Sequence, residues 1–540
     1  MSRFNWDLLG RSQPWSASSP GCSIGWIRVL RVMGGIVSRR APHGRASPRA
    51  ASPTRVARAG PCYDRGIRTF RNTRATRPSP DTTTMAANLD AQAHYFPHTQ
   101  DELKAIATDI LRHAKALGAT DAATEISEGD GLSVSVRRGE VETIEHNRDK
   151  TVGVTVFIGK KRGNASTSDF SPTALKDTVA AAYNIARFTA EDDAAGLAEA
   201  ELLETEPRDL DLYHPWRLSA DEAVDLARRS EDAAFAVSPQ IRNSEGASVS
   251  AQHSQFVLAT TRGFLAGYPY SRHYIACAPI AGSGRHMQRD DWYTSKRRAD
   301  ELASPESVGR YAAQRALARM GARRLDTRKV PVLFEAPLAA GLLGAFVQAV
   351  SGGALYRKTS FLVDSLGKEV FAPHVQIVED PHVPRAMGSA PFDEEGVRTR
   401  ARSVVRDGVV EGYFLSTYSA RKLGTQTTGN AGGSHNIALR SALTAPGDDF
   451  DAMLKKLGTG LLLTELMGQG VNYVTGDYSR GAAGFWVENG EIQYPVEEIT
   501  VASTLQEMFR HIVAIGADSI VRGTKETGSV LIEQMTIAGQ

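Results

Sequence analysis

The sequence predicts an α+β protein, in which helices and strands form separate groups instead of alternating one by one. Three observations favour this class. Polar and proline signals mark helix starts, runs of alternating apolar residues mark consecutive strands, and glycine-rich, strand-like sequence fills the chain beyond residue 330. We therefore expect an N-terminal α+β domain with an antiparallel meander, followed by a C-terminal domain of mostly antiparallel β-structure.

Four helices are predicted in the N-terminal half, each from a recognisable start. The first covers about 100–117 and stops at Gly118, because glycine is favoured just beyond a helix C-terminus. In a capping box, a Ser or Thr and a Glu three residues later satisfy each other's backbone N–H groups, and proline suits the first helical turn. The four starts are the capping boxes at Thr99 and Ser219 and the Ser-Pro pairs at Ser171 and Ser304.

Period-2 alternation of apolar residues predicts the strands of this half. A charged turn over 147–150 separates the second run from the third, so the first three runs form an antiparallel meander. The runs lie at 132–136, 141–146, 151–157, 248–261 and 268–278.

A domain boundary is expected near 322–330, where the sequence becomes rich in strand residues and glycine. It divides the folded body into an N-terminal domain over 95–325 and a C-terminal domain over 326–540. Within the second domain, apolar periodicity predicts one clear helix at 337–350 and another around 454–466.

Residues 1–84 differ in composition from the rest of the chain. They contain fifteen Arg, no Lys, no Glu and three Asp, which gives a net charge of +12, while the remainder carries −10. We expect a disordered basic extension with no counterpart in the folded body. Three interpretations fit it: an upstream extension wrongly joined to a true start at Met85, a transit peptide, or a basic arm for nucleic acid. The first is favoured, and the acidic body argues against nucleic-acid binding.

The cysteine content and hydropathy predict the compartment. Cys277 is the sole cysteine after residue 84, so the body cannot form an internal disulfide or a zinc site made mainly of thiolates. No run reaches about 18 uninterrupted apolar residues. We therefore expect a cytoplasmic protein without a membrane span, in which Cys277 is a buried structural thiol.

The sequence contains no convincing pattern for hydrolytic chemistry. A zinc peptidase needs about three protein ligands, and two of them commonly lie one helical turn apart. His374, His382 and His435 could in principle converge, but we expect separate surface residues. The one Gly-x-Ser-x-Gly match lies in the basic extension, outside any strand–turn–helix context, and no P-loop pattern occurs.

Three glycine-containing segments carry a resemblance to a known family. They are the run from Gly468 to Gly490, which contains six glycines, the segment Gly352 to Leu362, and the segment Thr428 to Gly433. They resemble the PmbA (TldE) branch of the PmbA/TldD metallopeptidases. The resemblance covers essentially all of 95–540 and leaves 1–84 without a counterpart.

The resemblance implies a function for a pair of chains. PmbA/TldD proteins are cytosolic bacterial α+β proteins in which a PmbA chain and a TldD chain form a heterodimeric zinc metallopeptidase that cleaves unfolded peptides. Such pairs are associated with peptide-antibiotic maturation and antitoxin turnover, and an older description is a modulator of DNA gyrase.

One departure from the family pattern bears on the metal. The TldD branch carries His-Glu-x-x-x-His on a helix, whereas the corresponding helix here, over 336–350, contains no His, Asp or Glu. The resemblance therefore implies that this chain has no catalytic residue, metal ligand or cofactor of its own, and that a TldD-like partner holds the zinc. The alternatives are a stand-alone metallopeptidase that uses His374, His382 and His435, and a regulatory module acting on a topoisomerase.

Six residues beside the glycine turns are candidates for the substrate cleft or the subunit interface. Arginine and aromatic side chains next to such turns can hold a peptide main chain or carboxylate. The competing interpretation is that Asp477 and Arg480 merely pair across a turn. The candidates are Arg357, Ser360, Phe361, Asp477, Ser479 and Arg480.

Overall fold

Helices begin at the residues that the capping signals predict. The computed structural model describes residues 95–539, and both capping boxes form in it, at Thr99 and at Ser219. Ser171 and Ser304 each accept a hydrogen bond from the backbone N–H three residues further on, with proline at the start of the helix. The four N-terminal helices are therefore confirmed.

The helices of the described part are distributed over its whole length. Within residues 95–539, none of them is long and apolar enough to cross a membrane. They are α1 (Gln100–Ala116), α2 (Pro172–Phe188), α3 (Ala220–Phe235), α4 (Pro305–Ala318), α5 (Ala336–Ala349), α6 (Gly352–Tyr356), α7 (Thr417–Lys422), α8 (Phe450–Leu457) and α9 (Leu505–Arg510).

The first sheet contains long antiparallel strands in the order β3-β2-β1-β4-β5-β6, with β7 also paired to β5. Its first three strands form an antiparallel meander, but the predicted runs at 141–146 and 151–157 both lie in its second strand, and its third strand was not predicted. The strands are β1 (Asp121–Arg137), β2 (Glu140–Ile158), β3 (Lys161–Thr167), β4 (Ile241–Thr260), β5 (Leu265–Ala281), β6 (Gln288–Arg289) and β7 (Trp292–Lys296).

The charged turn predicted over 147–150 is wrong. β2 runs through this segment, and it pairs with β1 from Glu140 to Phe157 with one register shift, between Ser135 and Val136, and none over 147–150. The side chain of Arg148 donates from Nε to the buried Asp130 carboxylate across the two strands, at 2.8 Å. Residues 140–150 are exposed, so their charged side chains remain solvated without a break in the strand.

Four helices pack on one face of this sheet. α1 and α2 cover one end, against buried β1 residues such as Ile126, and α3 and α4 cover the other end, against Val134 and Val136. These buried residues share one parity along β1, as alternation across a strand requires. The sheet thus has one helix-covered face and one face without these helices.

The other two sheets lie in the C-terminal half. Their orders are β11-β10-β9-β12-β18-β17 and β15-β14-β13-β8-β19-β16, and a further β15–β19 pairing closes five strands of the second into a ring. Only two of these pairings in the described part are parallel, β8 with β13 and β12 with β18. The strands are β8 (Arg328–Phe334), β9 (Val375–Asp380), β10 (Arg402–Arg406), β11 (Val409–Val410), β12 (Asn436–Ser441), β13 (Gly460–Met467), β14 (Asp477–Glu488), β15 (Glu491–Thr504), β16 (Ile512–Ile515), β17 (Ile520–Arg522), β18 (Lys525–Thr527) and β19 (Val530–Ala538).

The helix predicted around 454–466 is wrong over its second half. α8 ends at Leu457, Gly458 follows with φ at 65°, and the chain then enters strand β13. Leu461 and Leu463 are fully buried in the core between strands. An apolar run of this length is compatible with either element, and the ring of strands decides the outcome.

The predicted helix at 337–350 is confirmed as α5, which lies in the main core of the C-terminal half. Its Leu342, Leu343 and Phe346 are buried in one cluster with residues from both C-terminal sheets, including Ile377 and Val332. The α+β class, with mostly antiparallel C-terminal sheets, is therefore confirmed.

Ion pairs and hydrogen bonds join the two halves of the described part, which belongs to one compact unit. Arg315 on α4 donates to Glu335, just before α5, at 2.7 Å. Arg385 pairs with both Asp211 and Glu301 of the N-terminal half. The domain boundary near 322–330 stays a prediction.

Candidate functional site

Helix α5 and the turn that follows it provide the frame of the candidate site. The helix begins with Ala336-Pro337, and most of its Ala, Leu and Phe side chains are buried. Gln348 is its one polar side chain, and it is exposed. Side chains of α5 therefore pack the core and offer no imidazole, thiolate or carboxylate.

Ser360 ties the segment after α5 back to the helix. Its hydroxyl donates to the carbonyl oxygen of Ala349 at 2.6 Å and accepts from the N–H of Leu362 at 3.0 Å. The side chain is buried. These contacts give Ser360 a positioning role in the turn.

Arg357 lies on the exposed side of the same segment. Its guanidinium stacks on the ring of Tyr356, 5.0 Å from the centroid, and donates to the Tyr356 hydroxyl at 2.8 Å. Tyr356 in turn packs edge-on against Tyr418 of α7. The Arg357 guanidinium is therefore accessible, on an aromatic support.

Phe361 connects this segment to the turn before β14. Its N–H donates to the carbonyl oxygen of Tyr473 at 2.8 Å. Asp477 accepts a 2.6 Å hydrogen bond from the Thr475 hydroxyl, and the N–H of Ser479 donates to the Gly470 carbonyl. The structure thus brings Phe361 next to the turn that contains Asp477 and Ser479.

Arg480 follows on β14 and makes few contacts. Its Nη2 donates weakly to the carbonyl oxygen of Leu466, at 3.4 Å, and its Nε is buried without a hydrogen-bond partner. It forms no ion pair with Asp477 or with any other carboxylate of residues 95–539. Burial raises the pKa of the nearby Tyr478 to about 12, against the opposing positive charge of Arg480.

The three histidines considered from the sequence do not converge. His374 precedes β9, where its ring bonds Ser441 and the carbonyl oxygen of Ile512. His382 follows the other end of β9 and bonds the Thr399 hydroxyl. Burial and the charge of Arg208 lower the pKa of His382.

His435 belongs to a buried network that the sequence did not predict. Glu379 accepts from Arg402 Nε at 2.8 Å, from Asn430 Nδ2 at 2.8 Å and from the backbone N–H of His435 at 2.8 Å. The His435 ring nitrogen Nδ1 lies 3.0 Å from the same carboxylate. The segment Thr428 to Gly433 signals this network, because it supplies Asn430 and the turn that leads to His435.

The carboxylate of Glu379 remains ionised within this network. Burial alone would raise the pKa of Glu379, but the hydrogen bond from His435 and the charge of Arg402 outweigh burial and lower it to about 2. An ionised carboxylate with four donors holds a loop in place, and its acceptor positions are occupied. The network therefore orders the 428–435 loop.

A second buried carboxylate, Asp393, was likewise not predicted from the sequence. It accepts from the backbone N–H groups of Glu395, Val397 and Ala431 at 2.9–3.0 Å. Burial, together with the charge of Glu395, raises its pKa to about 7. Across residues 95–539, no group of three His, Cys, Asp or Glu side chains is arranged to hold a metal ion.

Family models match three successive segments of the chain. Residues 124–186 match PmbA/TldA metallopeptidase domain 1, residues 213–320 match the central domain, and residues 327–539 match the C-terminal domain. Together the matches cover most of the chain.

A curated relative and two solved structures agree with these models. The chain is 48% identical over 426 residues to the Metalloprotease PmbA of Escherichia coli O157:H7, covering 79% of this chain and 94% of that protein. Its fold resembles TldE from Thermococcus kodakarensis, with a TM-score of 0.71 at 18% identity, over 80% of this chain and 100% of that one. It also resembles a proposed modulator of DNA gyrase from Bacteroides thetaiotaomicron, with a TM-score of 0.77 at 24% identity, over 82% of this chain and 99% of that one.

Three independent findings indicate the same assignment: the motifs around Gly352, Thr428 and Gly468, the three matched segments, and the 48% identity to the Escherichia coli protein. The resemblance inferred from the sequence is confirmed. The chain belongs to the PmbA/TldD metallopeptidase family, on its PmbA branch.

Proposed function

We propose that this chain is the PmbA/TldE-like, non-catalytic subunit of a cytosolic zinc metallopeptidase. A TldD-like partner supplies the zinc, and this chain completes the cleft that admits unfolded peptides. The similarity to a bacterial PmbA metalloprotease and to the TldE fold supports the assignment to this subunit type.

The chemistry of α5 is the observation that carries the proposal. Zinc in a hydrolase is held by imidazole, thiolate or carboxylate groups, and α5 offers only aliphatic, aromatic and one amide side chain. Cys277 lies elsewhere, on β5, where burial raises the pKa of its thiol to about 12 and disfavours the thiolate that binds metal. The residues at this position therefore do not fit a zinc ion.

The alternative of a stand-alone metallopeptidase has less support. His374 and His435 lie at opposite ends of β9, and the Nδ1 of His435 is engaged by Glu379. The alternative of a gyrase modulator is motivated by the description of the Bacteroides protein. Residues 85–540 carry a net charge of −10, and an acidic surface does not favour contact with DNA. The charge therefore gives that alternative no support.

An exposed strand edge supports unfolded peptides as substrates. β3 pairs with β2 only over Val152 to Ile158. The preceding β2 residues, 140–150, are exposed, and among the described residues no strand pairs along their outer edge. An extended peptide can add to such an edge through main-chain hydrogen bonds, with little dependence on its sequence.

Reconstitution with the TldD-like protein of the same organism tests the proposal. Each chain alone and the mixture are assayed for cleavage of an unstructured peptide, and bound zinc is measured for each chain. We expect zinc in the partner alone, and more cleavage by the mixture than by either chain. About one tightly held zinc and chelator-sensitive cleavage in this chain alone would contradict the proposal.

A further inference from the structure

Arg480 carries a partly buried positive charge that nothing in the described part of the chain neutralises. Its Nε is buried without an acceptor, and its hydrogen bond from Nη2 to the Leu466 carbonyl oxygen is long at 3.4 Å. Its other polar contact is with the hydroxyl of Tyr478, which is neutral and does not balance the charge. A desolvated cation without an anion is unfavourable unless a further group completes the site.

Comparison with other partly buried arginines shows that this arrangement is unusual for the molecule. Arg402 donates to Glu379 at 2.8 Å, and Arg315 donates to both Asp290 and Glu335. Arg297 has no carboxylate partner but donates to three backbone carbonyl oxygens. Arg480 has neither a carboxylate nor a set of short carbonyl contacts.

The surroundings of Arg480 are aromatic and apolar. Tyr473 and Tyr478 lie close enough for the Arg480 charge to influence their pKa values, and burial is the main cause that raises both. Phe361 is joined to this turn by the hydrogen bond between its N–H and the Tyr473 carbonyl oxygen. Next to Leu466, the side chain of Met467 is 43% exposed. Apolar surroundings lower the local dielectric constant, which strengthens the attraction between the Arg480 guanidinium and an anion.

We propose that Arg480 binds a carboxylate of an extended peptide, with Met467 as an apolar contact for the neighbouring part of that peptide. A guanidinium donates to a carboxylate through two parallel N–H groups, which selects the planar anion and its orientation. This inference rests on the proposed function, since it gives the peptide cleft a charged contact. The carboxylate comes either from the peptide C-terminus or from an Asp or Glu side chain.

Peptide binding tests the inference separately from cleavage. The probe is a fluorescein-labelled, unstructured peptide in four forms: with a free or amidated C-terminus, and with an internal Glu or Gln. Fluorescence anisotropy measures its Kd for this chain paired with a TldD-like partner whose zinc-binding histidines are replaced by alanine. We expect removal of the recognised carboxylate to weaken binding about tenfold.

Three variants assign that preference to Arg480. Arg480→Gln is expected to bind all four peptides equally, Arg480→Lys to retain part of the preference, and Arg187→Gln, an exposed arginine on α2, to retain all of it. Melting curves confirm that the variants fold. Equal Kd values for all four peptides with the unaltered chain, no measurable binding, or an unchanged preference in Arg480→Gln would overturn the inference. Greater cleavage by the mixture with no carboxylate preference would reject this inference and leave the proposed function standing.

Discussion

Arg402 and Glu379 form a buried ion pair, with 2.8 Å between Nε and Oε2, across neighbouring strands β10 and β9. The Glu379 side chain is 1% exposed, and the Arg402 side chain is 19% exposed. Removing one partner of a buried pair leaves the other charge without compensation, which is costly. The pair is therefore expected to matter for stability, through the loop that ends at His435.

Arg402→Met is expected to lower the free energy of unfolding by about 3 kcal/mol at neutral pH. The control is Arg406→Met, which removes a 2.8 Å pair with Glu411 that is exposed on both sides. An exposed ion pair is screened by solvent and contributes little to stability, so the control is expected to change the free energy of unfolding little. Urea unfolding of both variants measures the difference, and equal losses would contradict the prediction.

The same pair predicts a pH dependence. The pKa of Glu379 is lowered to about 2 in the folded chain and is near 4.3 when unfolded. The stabilisation is therefore complete above about pH 4.3 and is lost as the pH falls towards 2. Thermal unfolding from pH 7 to pH 3 is expected to show a smaller acid-induced loss in Glu379→Gln than in the unaltered chain. Parallel curves would contradict this.

The opposite dependence of stability on pH is predicted for Glu125 on β1. Burial, with the charge of Glu394, raises its pKa to about 7, so the folded state holds a proton that the unfolded state releases. The stability from this group is present below about pH 4.3 and is lost as the pH rises through about 7. Glu125→Gln is expected to raise the Tm more at pH 8 than at pH 5. Glu145→Gln on the exposed part of β2 is the control, with no change expected at either pH.

Local sequence predicted the helix starts because capping is a local interaction. Thr99 and Ser219 each bond a residue three positions away, so the signal and the structure share one short segment. The predicted turn over 147–150 and the second half of the helix predicted over 454–466 were wrong for a different reason. Arg148 donates to Asp130 on another strand, and Leu461 lies on a strand that pairs with β8. Neither partner lies within the local sequence pattern, so that pattern could not reveal the strands.

The assignment of the six candidate residues to a cleft or an interface stays a prediction. The structure places Phe361 next to the turn before β14, and the Asp477–Arg480 pairing considered from the sequence does not form among the described residues. The Glu379 network was missed because its members are dispersed along the chain from 379 to 435. Only the folded chain brings these side chains within hydrogen-bonding distance of one another.

Deletion of residues 1–84 is expected to leave the Tm and the soluble yield unchanged. The reason is the composition of that segment, which lacks a sustained apolar period. A chain starting after His98 is the control, because it also loses Tyr95 and Phe96. Tyr95 bonds the Trp216 carbonyl oxygen at 2.9 Å and stacks on His253, and Phe96 is buried. The longer deletion is expected to lower the Tm, and a loss in the Met85 form would contradict the prediction.

Two helical glycines are expected to respond oppositely to replacement by alanine. Gly309 lies in α4 where it meets α3, and an added Cβ would overlap the carbonyl oxygen of Ser230. Overpacking of this kind costs about 1–3 kcal/mol, because one helix backbone must move away from the other.

Gly341 lies in α5 with no atom near the position of a Cβ, and it is exposed. Alanine there removes the entropic cost of glycine in a helix and stabilises by about 0.5–1 kcal/mol. Thermal and urea unfolding are expected to show Gly309→Ala below and Gly341→Ala above the unaltered chain. A gain in stability from Gly309→Ala would mean that α3 and α4 do not approach through this glycine.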